Sequence, residues 1–188
     1  MPTTLEQLDD LLRVAQSMRA VAPQIDAFVP PLVDALEANA RLLTCGNGGS
    51  AADAIHLTEE LVGRYRGDRR AYSSICLSAD AASITCICND WDYSYVFSRQ
   101  VEAHGRPGDW LLCFSTSGNS ANIVRALEAA RNMGLRTIGL LGKGGGKCKE
   151  LCDYSVIVPS DRTERIQEIH GWLIHVILEA VEARSFKR

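Results

Sequence analysis

The sequence has no long apolar run and no excess of basic charge, and its first residues do not show the pattern expected of a secretory leader. No stretch reaches the about 20 uninterrupted apolar residues of a membrane helix, and the best candidate, residues 172–181, contains His175 and Glu179. The net charge of −3 offers no broad basic surface for nucleic acid or anionic lipid. The first ten residues are acidic and lack an apolar segment. We therefore expect a soluble, cytoplasmic protein without nucleic-acid or membrane partners.

Paired cysteine knuckles, which a metal cluster would require, are also missing. The sequence has an odd number of cysteines, seven in all: Cys45, Cys76, Cys86, Cys88, Cys113, Cys148 and Cys152. Most of them lie in or beside apolar runs, as small buried hydrophobic residues do. The spacing from Cys148 to Cys152 is only a weak match to a metal knuckle. This pattern favours reduced cysteines in an intracellular protein.

Short apolar runs alternate with helical apolar periods along most of the chain. With 188 residues, 46% hydrophobic and 23% charged, the sequence is typical of one globular domain over residues 1–188. Strand-like runs occur at 41–45, 74–77, 110–114, 137–141 and 154–158, and helical periods at 51–65, 81–88, 93–104, 119–133, 147–152 and 162–183. This alternation predicts an α/β fold with a doubly wound, mostly parallel, five-stranded sheet flanked by helices.

Two more helical stripes, within residues 1–38, precede the alternation. They fall outside the predicted α/β core at 41–184, so we expect them to pack on a neighbour or to form a subunit interface. Pro30 and Pro31 fall within the second stripe and predict an irregular start to that helix.

Two loops that follow predicted strands carry groups suited to an anionic ligand. The first, after residues 41–45, contains Asn47, Gly48, Gly49 and Ser50, where glycines allow a ligand to approach the backbone. The second, after residues 110–114, contains four hydroxyl residues: Ser115, Thr116, Ser117 and Ser120. Each loop leads into a helix, whose free amide groups attract anions. Neither loop matches a dinucleotide or nucleoside triphosphate motif, so the sequence favours a small phosphorylated ligand.

A weaker loop candidate, with three glycines, lies between Lys143 and Lys147; it is most simply interpreted as a flexible surface loop.

Polar residues at helical spacing form a second group. His56 and Glu60 lie one turn apart, and Gln167 and His175 lie two turns apart with Gly171 between them, which suggests a close approach at that glycine. Together these side chains can hold a divalent ion such as zinc or supply acid–base groups. Each histidine alone would be interpreted as a surface or satisfied core residue, and His104 and His170 are interpreted in that way.

Several segments together resemble the phosphoheptose isomerase family within the sugar isomerase (SIS) fold, which is flavodoxin-like. The matching segments are CGNGGSAAD at 45–53, HLTEEL at 56–61, GRYR at 63–66, ND at 89–90, FSRQ at 97–100, STSGNS at 115–120 and RIQEIH at 165–170. The serine loop alone indicates a sugar-phosphate-binding SIS domain. The added segments around His56, Gln167 and His175 narrow the resemblance to this family.

The resemblance implies a role for each matched position. Substrate would be bound by Asn47, Gly48, Gly49, Ser50, Glu60, Arg64, Asn89, Asp90, Ser115, Thr116, Ser117, Ser120 and Gln167. Zinc, one ion per subunit, would be bound by His56, Glu60, Gln167 and His175, and Glu60 and His175 would form the acid–base pair. The family's members form homotetramers whose active sites draw on more than one subunit.

The implied reaction converts D-sedoheptulose 7-phosphate into D-glycero-D-manno-heptose 7-phosphate through an enediol, an early step towards bacterial heptose in lipopolysaccharide or capsule. Two alternatives stay open at this stage. One is a catalytically silent SIS-fold scaffold that binds the replication initiator, as a close relative of the family does. The other is isomerisation of a different sugar phosphate, such as arabinose 5-phosphate, on the same site.

Overall fold

Five parallel strands form the centre of the molecule in the computed structural model, which describes residues 1–185. They are β1 (Leu42–Gly46), β2 (Ser74–Cys76), β3 (Trp110–Ser115), β4 (Arg136–Leu141) and β5 (Tyr154–Ile157), arranged in the order β2-β1-β3-β4-β5. All four pairings are parallel. The predicted α/β sheet is therefore confirmed, and its strand order is that of flavodoxin-like folds.

Helices cover both faces of this sheet. They are α1 (Thr4–Ser17), α2 (Ala22–Glu37), α3 (Gly49–Val62), α4 (Ala81–Asp90), α5 (Ser98–His104), α6 (Ala121–Asn132) and α7 (Thr163–Ser185). Successive strand residues point to opposite faces: Leu42 joins a core with α1, α2, α3 and α7, whereas Leu43 joins a second core with α5 and α6. None of the helices in residues 1–185 is long and apolar enough to cross a membrane.

The second helix differs from the sequence expectation. Both Pro30 and Pro31 lie inside α2, which continues to Glu37, and a 3₁₀ turn at Met18–Ala20 joins it to α1. Phe28 and Leu32 are fully buried in the core. Burial of this face compensates for the backbone hydrogen bonds that the prolines remove.

Two predicted helices are also shorter or tighter than expected. The segment 93–104 divides into a 3₁₀ turn at Tyr93–Tyr95 followed by α5, and 3₁₀ turns at Lys143–Leu151 replace the helix predicted at 147–152. Gly144, Gly145 and Gly146 all have positive φ, which interrupts helical geometry there.

The sheet order defines where a ligand can enter. Strand β1 lies between β2 and β3, so the chain leaves β1 towards one side of the sheet and β3 towards the other. Ligands of open parallel sheets bind beyond the carboxyl ends of the strands at such a switch point. The two glycine- and serine-rich loops follow β1 and β3 and therefore flank it.

Candidate active site

The loops after β1 and β3 are joined by a pair of carboxamides. Asn47 Nδ2 donates to Asn122 Oδ1 at 3.0 Å, and Asn122 Nδ2 donates back to Asn47 Oδ1 at 2.8 Å. The Tyr93 hydroxyl donates to the same Asn47 Oδ1 at 2.7 Å. Asn47 and Tyr93 also line a small cavity of about 80 Å³ beside the β1 loop. The amide group of Asn47 is thus fixed by two residues distant in sequence.

The serine loop is held by its own hydrogen bonds. Ser115 Oγ accepts from the Gly118 amide at 3.0 Å, and Ser117 Oγ accepts from the Asn119 amide at 3.2 Å. Because both hydroxyls act as acceptors within the loop, their protons remain to be donated to a ligand. Ser120 occupies the N-cap position of α6 without a side-chain capping bond. A phosphate, which only accepts hydrogen bonds when fully ionised, suits such a set of neutral donors.

The triple-glycine segment packs against the serine loop, so it is not the flexible surface loop that the sequence suggested. Gly118 has φ +62°, and a Cβ atom there would collide with the backbone of Gly145. The Lys147 amide donates to Asn119 Oδ1 at 3.1 Å, and the Cys148 amide donates to the Gly118 carbonyl at 2.9 Å. This packing supports the serine loop from behind.

A polar face forms where α3 runs beside α7. His56 Nε2 lies 3.9 Å from Glu60 Oε1, with the two side chains 37% and 20% exposed. The ring of His56 meets the ring of His175 edge-on at 5.3 Å between centroids, and Tyr65 stacks on His175 at 5.7 Å. The structure therefore brings together His56, Glu60 and His175, as the sequence predicts.

Gln167 lies further along the same helix pair. Its carboxamide packs against Gly49 so closely that a Cβ atom on that glycine would collide with it. Eight residues of helix separate Gln167 from His175, a rise of about 12 Å. Gln167 is thus placed beside the β1 loop, where its amide faces Gly49, and its contact with substrate stays a prediction.

Asp53, which the sequence analysis did not single out as a site residue, lies on α3 between Gly49 and His56. Its Oδ2 atom is buried without a hydrogen-bond partner among the described residues. Burial raises the pKa of Asp53 to about 6, and the nearby His56 acts in the opposite direction. A partly buried carboxylate on this face adds to its negative charge.

Three predicted substrate residues lie in exposed positions. Arg64 follows α3, and Asn89 and Asp90 end α4, with Asn89 Nδ2 donating to Asp90 Oδ1 at 2.9 Å. Asp90 lines a groove between α4 and α5 together with Arg99, separate from the cavity lined by Asn47. Within one chain these residues are not gathered around the serine loop.

The sequence analysis also interpreted His104 and His170 as surface or core residues and expected a close approach at Gly171. His104 is exposed at the end of α5, and His170 is fully buried with its ring against Phe114 at 5.7 Å. Burial lowers the pKa of His170 to about 4. No described atom lies within 4 Å of a Cβ built on Gly171, so the close approach expected there is not made within the chain.

The donor set on the polar face fits a divalent metal ion. One ligand atom from each of His56, Glu59 and Glu60 lies within 4.8 Å of the others, and His175 adjoins His56. Imidazole nitrogens and carboxylate oxygens are ligands that zinc prefers. Glu59 belongs to this cluster although the sequence analysis did not select it; its position next to Glu60 was the available signal.

Fold, loops and polar face together define a SIS domain. The SIS domain family model matches residues 7–142. Phosphoheptose isomerase from Akkermansia muciniphila is 46% identical over 181 residues, covering 95% of this chain and 96% of the relative, and that from Helicobacter pylori strain P12 is 43% identical over 184 residues, covering 93% and 96%.

Solved structures agree with this family. Phosphoheptose isomerase from Neisseria gonorrhoeae superposes with a TM-score of 0.88 at 35% identity, covering 94% of this chain and 95% of that one. The enzyme from Francisella tularensis gives a TM-score of 0.87 at 32% identity, covering 96% and 98%. The chain belongs to the phosphoheptose isomerase family of SIS domain proteins, and it is an isomerase, as the sequence predicts.

Proposed function

We propose that this protein interconverts D-sedoheptulose 7-phosphate and D-glycero-D-manno-heptose 7-phosphate through an enediol, for bacterial heptose synthesis in the cytoplasm. Two observations carry the proposal: a hydroxyl-rich anion loop lies at the switch point, and α3 and α7 of the same chain share a polar face that bears Glu60 and His175. Relatives named phosphoheptose isomerase cover nearly the whole chain.

The reaction moves a proton between C1 and C2 of the sugar. The Glu60 carboxylate removes it from one carbon and returns it to the other on the same face, as one general base can. His175 shuttles a proton between the two oxygens, and Tyr65 stacks on its ring and orients it. Both groups reach a common substrate from neighbouring helices.

The phosphate end of the sugar is anchored at the serine loop. Hydroxyl protons of Ser115 and Ser117 remain for donation, and Ser120 and Thr116 extend the set. Binding energy from this remote group aligns C1 and C2 with the polar face. Asn47, Gly48, Gly49, Ser50 and Gln167 line the path between the two ends.

We propose that His56, Glu60 and His175 hold one zinc ion per subunit, and that Gln167, whose amide faces Gly49 in this structure, turns towards the ion to complete the set that the resemblance implies. Two imidazoles and a carboxylate already meet on this face, which supports the proposal. Zinc bound there would polarise the sugar carbonyl and stabilise negative charge on its oxygen.

A homotetramer is the proposed assembly. Leu5, Leu8 and Leu12 form an exposed apolar stripe on α1, and Trp172 is exposed on α7. Such surfaces are typical of protein interfaces. Light scattering of the purified protein should give a mass of about four times the chain mass of 20.6 kDa, and Leu8→Glu should lower that mass. A monomer at micromolar concentration would contradict the proposed tetramer.

Turnover of D-sedoheptulose 7-phosphate by the purified protein tests the function. We expect product, with loss of activity after chelation and recovery with zinc. No product, even with added zinc, would favour the scaffold alternative, for which binding to the replication initiator would then be measured. Product from arabinose 5-phosphate at a higher kcat/KM would instead favour the third candidate.

A further inference from the structure

The hydrogen-bonding capacity of Asn47 is almost fully used inside the chain. A carboxamide offers two acceptor positions and two donor hydrogens. The acceptor positions of Asn47 Oδ1 are filled by Tyr93 and Asn122, and one hydrogen of Nδ2 is donated to Asn122. One N–H therefore remains free.

The partners of Asn47 differ in their surroundings. Asn122 is 2% exposed, in the first turn of α6 directly after the serine loop, where it has little freedom to rotate. Tyr93 is 54% exposed, on a 3₁₀ turn, with its ring beside the small cavity that Asn47 also lines. One partner is a rigid anchor and the other is an exposed clamp.

We propose that Asn122 and Tyr93 are positioning residues that fix the Asn47 carboxamide as a donor, so that it binds a substrate oxygen through its remaining N–H. The proposal rests on the proposed function and deepens it, because it states which polarity the β1 loop presents to the sugar. It also links that loop to the start of α6, so that the sugar and phosphate contacts share one rigid frame. A ligand with a hydrogen-bond donor at this point would be rejected.

Tyr93→Phe is the first test, because it removes one hydroxyl at an exposed ring. Loss of one neutral hydrogen bond corresponds to about 2- to 10-fold, so we expect kcat/KM to fall by that factor, mainly through KM. Tyr95→Phe is the matched control: Tyr95 lies on the same turn but packs under Arg125, and we expect no change. Equal behaviour of the two variants would overturn the role of Tyr93.

Asn122→Asp is the stronger perturbation. It replaces the donor that faces Asn47 Oδ1 with a carboxylate oxygen. One O···O contact of the pair is then repulsive whichever way the Asn47 carboxamide is turned, so the pair separates and Asn47 is no longer held in place. We expect kcat/KM to fall about 100-fold, which corresponds to the free-energy cost of leaving a buried polar group without its hydrogen-bond partner. Asn132→Asp, at the exposed opposite end of α6, makes the same chemical change and should have little effect.

A double-mutant cycle separates positioning from general structure. If Tyr93 acts only through Asn47, Tyr93→Phe should change kcat/KM less than 1.5-fold in an Asn47→Ala background, whereas independent effects would multiply. Multiplying effects would overturn the proposal.

A readout independent of turnover keeps this test apart from that of the proposed function. In ¹⁵N-correlated spectra, Tyr93→Phe should shift the side-chain NH₂ signals of Asn47 and Asn122. In the parent protein with inorganic phosphate added, the side-chain NH₂ hydrogens of Asn122 should exchange slowly with solvent. Unshifted carboxamide signals would refute the network even in an active enzyme. Shifted signals in a protein inactive on sedoheptulose 7-phosphate would support the network and refute the substrate.

Discussion

The loop side of the site and its helix side differ in how completely one chain assembles them. In the loops, Asn47, Asn122, Ser115 and Ser117 all have hydrogen-bond partners within the chain. On the helices, His56 and Glu60 are 3.9 Å apart, longer than a hydrogen bond, and His175 is exposed. The loop side is thus held together within one chain, whereas on the helix side His56 and Glu60 are not hydrogen-bonded to each other.

Glu60→Gln should have the largest effect, because it removes the proposed base and keeps the shape of the side chain. We expect kcat to fall about 1000-fold, within the usual contribution of general base catalysis. Glu128→Gln is the matched control, at an exposed carboxylate on α6, and should retain most of the activity. Comparable turnover of Glu60→Gln and the parent would remove Glu60 from the base role.

His56→Gln tests the metal on the helix side. Since even outer-shell partners of a metal contribute 10- to 100-fold, removing a ligand should lower kcat by at least about 100-fold and reduce the zinc content measured by elemental analysis. His104→Gln, at an exposed histidine far from α3, should keep both. Full zinc content in His56→Gln would place the metal elsewhere.

Ser120→Ala tests the loop side and should mainly raise KM. One hydrogen bond to a charged group corresponds to about 10-fold or more in affinity. We expect kcat to change little, because the phosphate lies away from the reacting carbons. An unchanged KM, with Ser155→Ala on β5 as the control, would place the phosphate elsewhere.

The smallest effect concerns stability beneath the loop side, where His170 packs under Phe114. The neutral ring is favoured in the fold, because burial lowers its pKa from 6.5 to about 4. The unfolded chain therefore takes up this proton at a higher pH than the folded chain. His170 should lower the free energy of unfolding between pH 6.5 and pH 4 by up to about 3 kcal/mol, while Asp53, whose pKa is raised in the fold, acts in the opposite direction.

Urea unfolding at several pH values measures this loss. In His170→Leu the decline between pH 6.5 and pH 4 should be shallower, whereas in His104→Gln, at an exposed ring, it should equal that of the parent protein. An unchanged slope in His170→Leu would show that another group titrates.

Local sequence patterns predicted the positions of the strands and helices well, because the spacing of apolar residues within one strand or helix involves only residues that are close in sequence. All five strands lie within one residue of their predicted ends, and His56 and Glu60 share a helix face as their spacing requires. The two prolines of α2 were misleading, since burial of the opposite face outweighs their local preference.

Contacts between segments that are distant in sequence could not be predicted from the sequence. Asn122 is 75 residues from Asn47, and Tyr93 is 46 residues from it, so no spacing rule connects them. The support that Gly145 gives to Gly118 depends on two positive-φ backbones meeting, which the repeated glycines alone do not indicate. Likewise, the position of Gly171 in the sequence does not indicate that no described residue comes within 4 Å of a Cβ built there.

The most direct test of the separation between binding and chemistry is calorimetric titration of D-sedoheptulose 7-phosphate into Glu60→Gln and into the double variant Glu60→Gln/Ser120→Ala. Turnover should be about 1000-fold slower in both proteins than in the parent, so each Kd reports binding with little conversion of the sugar. We predict that Glu60→Gln binds within about 3-fold of the parent KM and that the added Ser120→Ala weakens Kd about 10-fold. Loss of binding in Glu60→Gln itself, or no further loss with Ser120→Ala, would contradict the account.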